Sequence, residues 1–235
     1  MIVHLIEIRR RALRTMLFFV FMLSIFVLFS QQLLEKIIAP LLKVLPAGVT
    51  LIATNVTSPV ITPINLAINA ALLFTAPVLL YHIWRFILPG LYLKEKHMIR
   101  GIIISSLSLF ILGSMAAFYI ILPWMLSFFA QSVPHGVHFA PEMNGAIDFI
   151  TNIMFVFGIC FQIPLLCPVL VVMGFTDTDS LKKVRPYVIV AAFIFGMLIT
   201  PPDVTSQIIV AIPCCLLYEI GILLARRYSS QMNNF

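Results

Sequence analysis

Few side chains in this sequence are equipped for chemistry, and most of them stand in or beside long apolar runs. Glu7 lies in His4-Leu5-Ile6-Glu7-Ile8-Arg9-Arg10-Arg11, and Glu95 lies in Tyr92-Leu93-Lys94-Glu95-Lys96-His97. Each carboxylate has two readings: an ion pair with a basic neighbour, such as Arg10 or Arg11 at helical spacing from Glu7, or a site for an incoming cation. Two carboxylates on one surface suit a ligand with two guanidinium groups, because the planar fork meets a carboxylate through two parallel hydrogen bonds and Lys cannot. The surplus of positive charge nearby tunes that affinity downwards. Gln162 sits in mid-run, two residues before Pro164. Its amide either reaches a carbonyl that the proline frees or lines a pocket. Asp203 follows Thr200-Pro201-Pro202, where a carboxylate caps the next helix. Glu219 is about two turns from Arg226, so it either reaches the headgroups or marks a polar site inside a span.

Other chemistries find little support. His135 and His138 have only the distant Glu142 for company, with no Cys nearby, which is a solvated loop and not a metal centre. No metal or other cofactor is expected. There is no Ser/His/Asp grouping, and no H-E-x-x-H helix motif, so the chain reads as a non-enzyme. The absence of G-x-x-x-x-G-K-[ST] removes nucleotide hydrolysis and leaves a partner or an ion gradient as the energy source. Cys160, Cys167, Cys214 and Cys215 fall in apolar stretches without C-x-x-C spacing and read as packing residues.

What must position these groups is a membrane bundle. Of the 235 residues 61% are hydrophobic and 10% charged, and the mean hydropathy is +1.08. That is more apolar surface than a soluble core can hide. A span needs roughly 20 apolar residues. The gaps between charges, trimmed at clustered prolines and glycines, predict six helices at residues 15–34, 64–84, 101–122, 149–173, 186–200 and 204–225. The first is read as a retained span, since no small-x-small cleavage pattern follows Phe29. Residues 35–63 and about 123–146 are then loops on one face. Thirteen of the fifteen Lys and Arg residues fall on the other face, all but Lys36 and Lys43, which places both termini in the cytoplasm. The same asymmetry accounts for the net charge of +6 through anionic lipid and without nucleic acid. The fifth span offers only about 22 Å of helix and predicts local thinning of the bilayer. Pro77, Pro164, Pro168 and Pro213 lie within spans and bend them. The expectation is an all-α polytopic membrane protein, one domain of six spans, N-in and C-in, with a concave face. Its function is transport, and a small-solute or ion carrier using Gln162 and Glu219 is the alternative.

Four strings narrow this further. His4-Leu5-Ile6-Glu7-Ile8-Arg9, Phe86-Ile87-Leu88-Pro89-Gly90-Leu91-Tyr92, Arg185-Pro186-Tyr187 and Thr200-Pro201-Pro202-Asp203 together resemble the TatC family, the core subunit of the twin-arginine protein translocase. The likeness runs through essentially the whole chain. It implies a receptor in the cytoplasmic (inner) membrane for folded cargo whose signal peptide bears consecutive arginines, driven by the proton-motive force. By the same resemblance Glu7 and Glu95 contact the arginine pair, Arg9 and Phe86 flank the recognition surface, Pro40 lies in the outer-loop region and Gln162 lines the concave face. Met197, Leu198, Thr200 and Gln207 match positions that meet single-span TatA or TatB partners in an oligomeric complex. The chain departs from the pattern at Gln162, where many relatives carry Glu, and a hydrogen-bonding role is what that position retains.

Overall fold

The computed structural model describes residues 2–44, 51–87, 96–134, 140–200 and 203–232. The protein is an all-α polytopic membrane protein. Helix α1 (Ile2–Leu28) runs through the basic segment into the first apolar run, and after a turn at Phe29 comes α2 (Ser30–Val44). Helix α2 occupies part of the expected outer loop and includes Pro40. Leu33, Leu34, Ile37, Ile38, Leu41 and Leu42 recur there at helical spacing, a signal that a count of charge-free gaps discards on meeting Glu35 and Lys36.

Proline accounts for most other departures from the expected boundaries. Helix α3 (Ser58–Ile87) begins six residues before the expected 64. Pro59 falls in its first turn, where no backbone donor is needed, so it starts the helix, and Pro63 and Pro77 lie inside. Helix α4 (Lys96–Ala116) passes through a π-helical turn (Ala117–Ile121) into α5 (Leu122–Gln131), so the helix outruns its expected end at 122. Pro123 denies Tyr119 an i+4 donor, and the wider turn before it absorbs the mismatch without ending the helix. The expected 149–173 span is two helices, α6 (Met143–Cys160) and α7 (Ile163–Val172), with Phe161 and Gln162 as the break. Pro164 sits in the first turn of α7 and does not kink a continuous helix. Helices α8 (Thr178–Ile199) and α9 (Val204–Met232) both extend beyond the expected 186–200 and 204–225.

Among the described residues five helical stretches are long and apolar enough to cross a membrane: Ile6–Leu28, Ser58–Phe86, Arg100–Gln131, Met143–Val172 and Val204–Arg227. The remaining expected span, the fifth, falls on α8. Lys182, Lys183 and Arg185 occupy its first half, so its charge-free part begins only at Pro186.

The chain divides into two units. One comprises Met1–Ile83 with Leu122–Asn152. Its core holds Leu66, Ala67, Ala71, Met125, Ile147 and Ile150, all buried, with α3 contributing small residues that admit close helix approach. The Phe26 and Phe74 rings meet at 5.2 Å, those of Phe129 and Phe149 at 5.8 Å, and Ile52 exchanges backbone hydrogen bonds with Pro141 and Met143. The other comprises Trp84–Ile121 with Ile153–Phe235. There Cys167, Leu181, Tyr218, Ile222 and Ala225 form a buried cluster, Tyr218 Oη donates to the Leu181 carbonyl, and the Cys160 and Cys214 thiols meet at 3.4 Å. All four cysteines are free and pack as side chains among helices. Large apolar side chains such as Leu17, Phe21, Tyr119, Phe193 and Leu223 are exposed, the arrangement expected where lipid and not water is the solvent.

Candidate functional site

In the first unit the basic segment of α1 builds a charged surface. Arg11 forms an ion pair with Glu7 one turn earlier, and its second guanidinium nitrogen donates to the His82 carbonyl of α3 at 2.8 Å. Arg11 is therefore tied down, with its side chain 16% exposed, whereas Glu7 is 45% exposed. A carboxylate held by one anchored guanidinium while still facing outward has its rotamer set before a ligand arrives. Arg9, Arg10 and Arg14 are exposed beside it. Phe86, in the second unit, is exposed near the end of α3. Glu95, the other expected carboxylate, lies outside the described residues, as do His135 and His138.

The second unit holds a buried polar chain. Trp84 Nε1 donates to Ser106 Oγ at 2.8 Å, Ser106 Oγ donates to Gln162 Oε1 at 2.6 Å, and Gln162 Nε2 donates to the Ser106 carbonyl at 3.0 Å. Gln162 is 6% exposed and Ser106 is wholly buried. The amide thus does not repair the backbone at Pro164. It clasps α4 to the break between α6 and α7 through two hydrogen bonds. Every group in this chain is neutral, so it is stable in a low-dielectric surround without a counter-ion. Glycine makes the close approach possible: a Cβ at Gly158 would stand 2.6 Å from the Phe110 ring, and one at Gly113 would stand 2.6 Å from the Phe157 carbonyl oxygen.

The remaining expected residues gather where α8 and α9 meet. Thr200 ends α8 by donating both its N–H and its hydroxyl to the Gly196 carbonyl, each at 2.9 Å. Asp203 caps α9: one carboxylate oxygen accepts the Ser206 N–H at 2.8 Å and the other accepts the Ser206 hydroxyl. Gly196 faces Gln207 across the helix pair, where a Cβ would make ordinary contact with the Gln207 backbone at 3.4 Å. Gln207 is half-buried and Met197 exposed; Leu198 lies within α8. Glu219 pairs with Arg185 of α8 at 2.6 Å, not with Arg226, which fixes the other end of the same helix pair. Near the start of α8, Lys182 holds the exposed Asp179 carboxyl below the usual carboxylate range.

Sequence reasoning missed a polar seam in the first unit. Asn65 Nδ2 donates to Asn144 Oδ1 at 3.1 Å, Asn69 Nδ2 donates to Asp148 Oδ1 at 2.9 Å, and the Thr54 hydroxyl donates to Glu142 at 2.7 Å. Thr62, wholly buried on the same stripe of α3, has an Oγ1 without a partner. The signal was available: Asn65 with Asn69, and Asn144 with Asp148, are each four residues apart, so each pair shares a helix face. Ser106 and Trp84 gave no such signal, because single polar residues in apolar runs are common.

Comparison with known proteins follows the same lines. A family model described as Sec-independent protein translocase protein (TatC) matches residues 3–213. The Sec-independent protein translocase protein TatC of Haemophilus influenzae is 45% identical over 228 residues, covering 97% of this chain and 89% of its own. That of Escherichia coli K12 is 39% identical over 234 residues, covering 100% and 91%. A crystal structure described as the twin-arginine translocase receptor TatC superposes with a TM-score of 0.87 at 34% identity, covering 96% of this chain and 99% of that one.

Proposed function

The chain belongs to the TatC family of Sec-independent protein translocase proteins, and on that premise we propose that it is the membrane receptor for twin-arginine signal peptides. Family membership leaves the small-solute carrier reading without support. The observation that carries the proposal is the half-exposed Glu7 carboxylate, oriented by an Arg11 that is itself tied to the His82 carbonyl. One guanidinium of the peptide meets Glu7 and the other meets Glu95, with Arg9 and Phe86 at the margin. Two bidentate contacts distinguish an arginine pair from lysines, whose ammonium groups lack the fork.

In the same reading the chain crosses the cytoplasmic membrane six times, α8 being the short span, and keeps both termini in the cytoplasm. The apolar part of the signal peptide inserts along the bundle, where the buried Gln162 acts through the packing of α4 and not as an open contact. TatA- and TatB-type single-span subunits dock at Met197, Leu198, Thr200 and Gln207 within an oligomeric complex, and the proton-motive force drives the passage of folded cargo. The Arg185–Glu219 pair holds α8 against α9 toward one end, and at the other Asp203 caps the start of α9, which supports a firm docking edge there.

Affinity of the purified protein for a signal peptide tests the receptor reading, with the arginine pair intact or changed to lysines and with Glu7→Ala and Glu95→Ala. Binding falls at each change, by roughly tenfold or more for a lost charge-assisted contact of about 1.5–3 kcal/mol. Equal binding throughout would sink the carboxylate clamp.

A further inference from the structure

The arginines that Glu7 does not engage form a feature of their own. Ile6, Arg9, Arg10, Leu13, Arg14 and Leu17 line an open groove of about 370 Å³ along α1. At 100° per residue these six positions fall on a stripe about 140° wide, and Arg9 and Leu17 stand about 12 Å apart along the axis. Along the stripe the three guanidinium groups span Arg9 to Arg14, with Leu13, 55% exposed, between Arg10 and Arg14, and Leu17, 74% exposed, follows one turn beyond the last of them. Arg14 immediately precedes the charge-free run that begins at Thr15, so the arginines and Leu13 sit at headgroup depth and Leu17 at the depth of the first acyl carbons.

We propose that this groove binds one anionic phospholipid, its phosphodiester on Arg10 and Arg14 about the exposed Leu13 and its proximal acyl methylenes against Leu17. A free phosphate satisfies only the charged half, whereas the two exposed leucines complement an amphipathic ligand. The site also bears on the receptor reading, and this step rests on it: three arginines beside Glu7 repel an incoming arginine pair, and a bound phosphodiester screens them. An anionic lipid on α1 therefore raises the affinity of the neighbouring carboxylate for the signal peptide.

The test uses the full chain in phosphatidylcholine nanodiscs with graded fractions of phosphatidylglycerol, followed by native mass spectrometry to count the anionic lipid retained. Arg9 stays in place because it also belongs to the expected peptide surface. The R10Q/R14Q variant is expected to retain phosphatidylglycerol roughly tenfold less tightly. R10K/R14K, which keeps the charge, and K182Q/K183Q, which removes exposed bases elsewhere, bind as the unaltered chain does. Equal retention by R10Q/R14Q and the unaltered chain would overturn the site, as would displacement of the lipid by millimolar inorganic phosphate. In a second arm, twin-arginine peptide affinity rises with phosphatidylglycerol in the unaltered chain and stays flat in R10Q/R14Q; a flat response in both overturns the screening step. A chain that binds no peptide at any composition defeats the receptor reading, and lipid retention that still depends on Arg10 and Arg14 then upholds the groove by itself.

Discussion

Gln162 shows how a single amide is committed by its neighbours. Its carbonyl oxygen takes the Ser106 proton, its nitrogen donates to the Ser106 carbonyl, and the Ser106 oxygen in turn accepts from Trp84. Ser106→Ala removes the hydroxyl that serves both partners and leaves two buried groups without a mate, a cost of about 1–3 kcal/mol. The Gln162→Leu change removes the amide altogether, and the double variant is expected to be less destabilised than the two singles added together. Thermal unfolding in detergent, arranged as a double-mutant cycle, checks this; a coupling near zero would mean that the two side chains do not act as a unit. The position of Gln162 in mid-run and its choice between backbone and pocket were readable from the sequence. Its partner was not, because nothing local distinguishes Ser106 from Ser105 or Ser108; only the packing of α4 selects one of them.

At the scale of elements, proline and glycine carry opposite lessons. Pro59 and Pro164 mark helix starts, and Pro123 follows a π turn that keeps the helix going, so treating each proline as a stop misplaced several ends by between six and nine residues. The missing information is whether a first turn or a widened turn receives the ring, and that depends on what packs around it. Charge, by contrast, was a sound guide to the runs themselves, because burying an unpaired base in hydrocarbon is too costly for chance. Glycine sets how close the helices come. Gly158→Ala puts a methyl carbon into the Phe110 ring, and since overpacking costs about 1–3 kcal/mol, the variant unfolds at lower temperature. Trimming the obstacle with Phe110→Leu in the same chain recovers part of the loss. If G158A alone matched the unaltered chain, or if F110L worsened it, the close contact would not be what limits α4 against α6.

For the molecule as a whole the decisive quantity is the distribution of charge along the chain. Thirteen bases flank one set of helix ends and two the other, while the acids are divided between the sides, with Glu7, Glu95, Asp177, Asp179 and Glu219 on the basic side and Glu35, Glu142, Asp148 and Asp203 opposite. Only the bases therefore carry a directional signal, and the proposed orientation rests on it, with the basic side in the cytoplasm. In the proposed topology the Glu7 surface and the start of α8 are cytoplasmic, and the Asp203 cap and the Thr54–Glu142 contact are not. Thr54 and Asp179 are both exposed, on opposite sides of this scheme. Replacing the four cysteines by Ala and introducing Thr54→Cys or Asp179→Cys one at a time gives a direct reading with a membrane-impermeant maleimide on spheroplasts. Position 54 is expected to label in intact spheroplasts, and position 179 only after the membrane is opened. The reverse pattern would place the Glu7 carboxylate on the far side of the membrane from any cytoplasmic signal peptide, and the receptor reading would fall with the orientation.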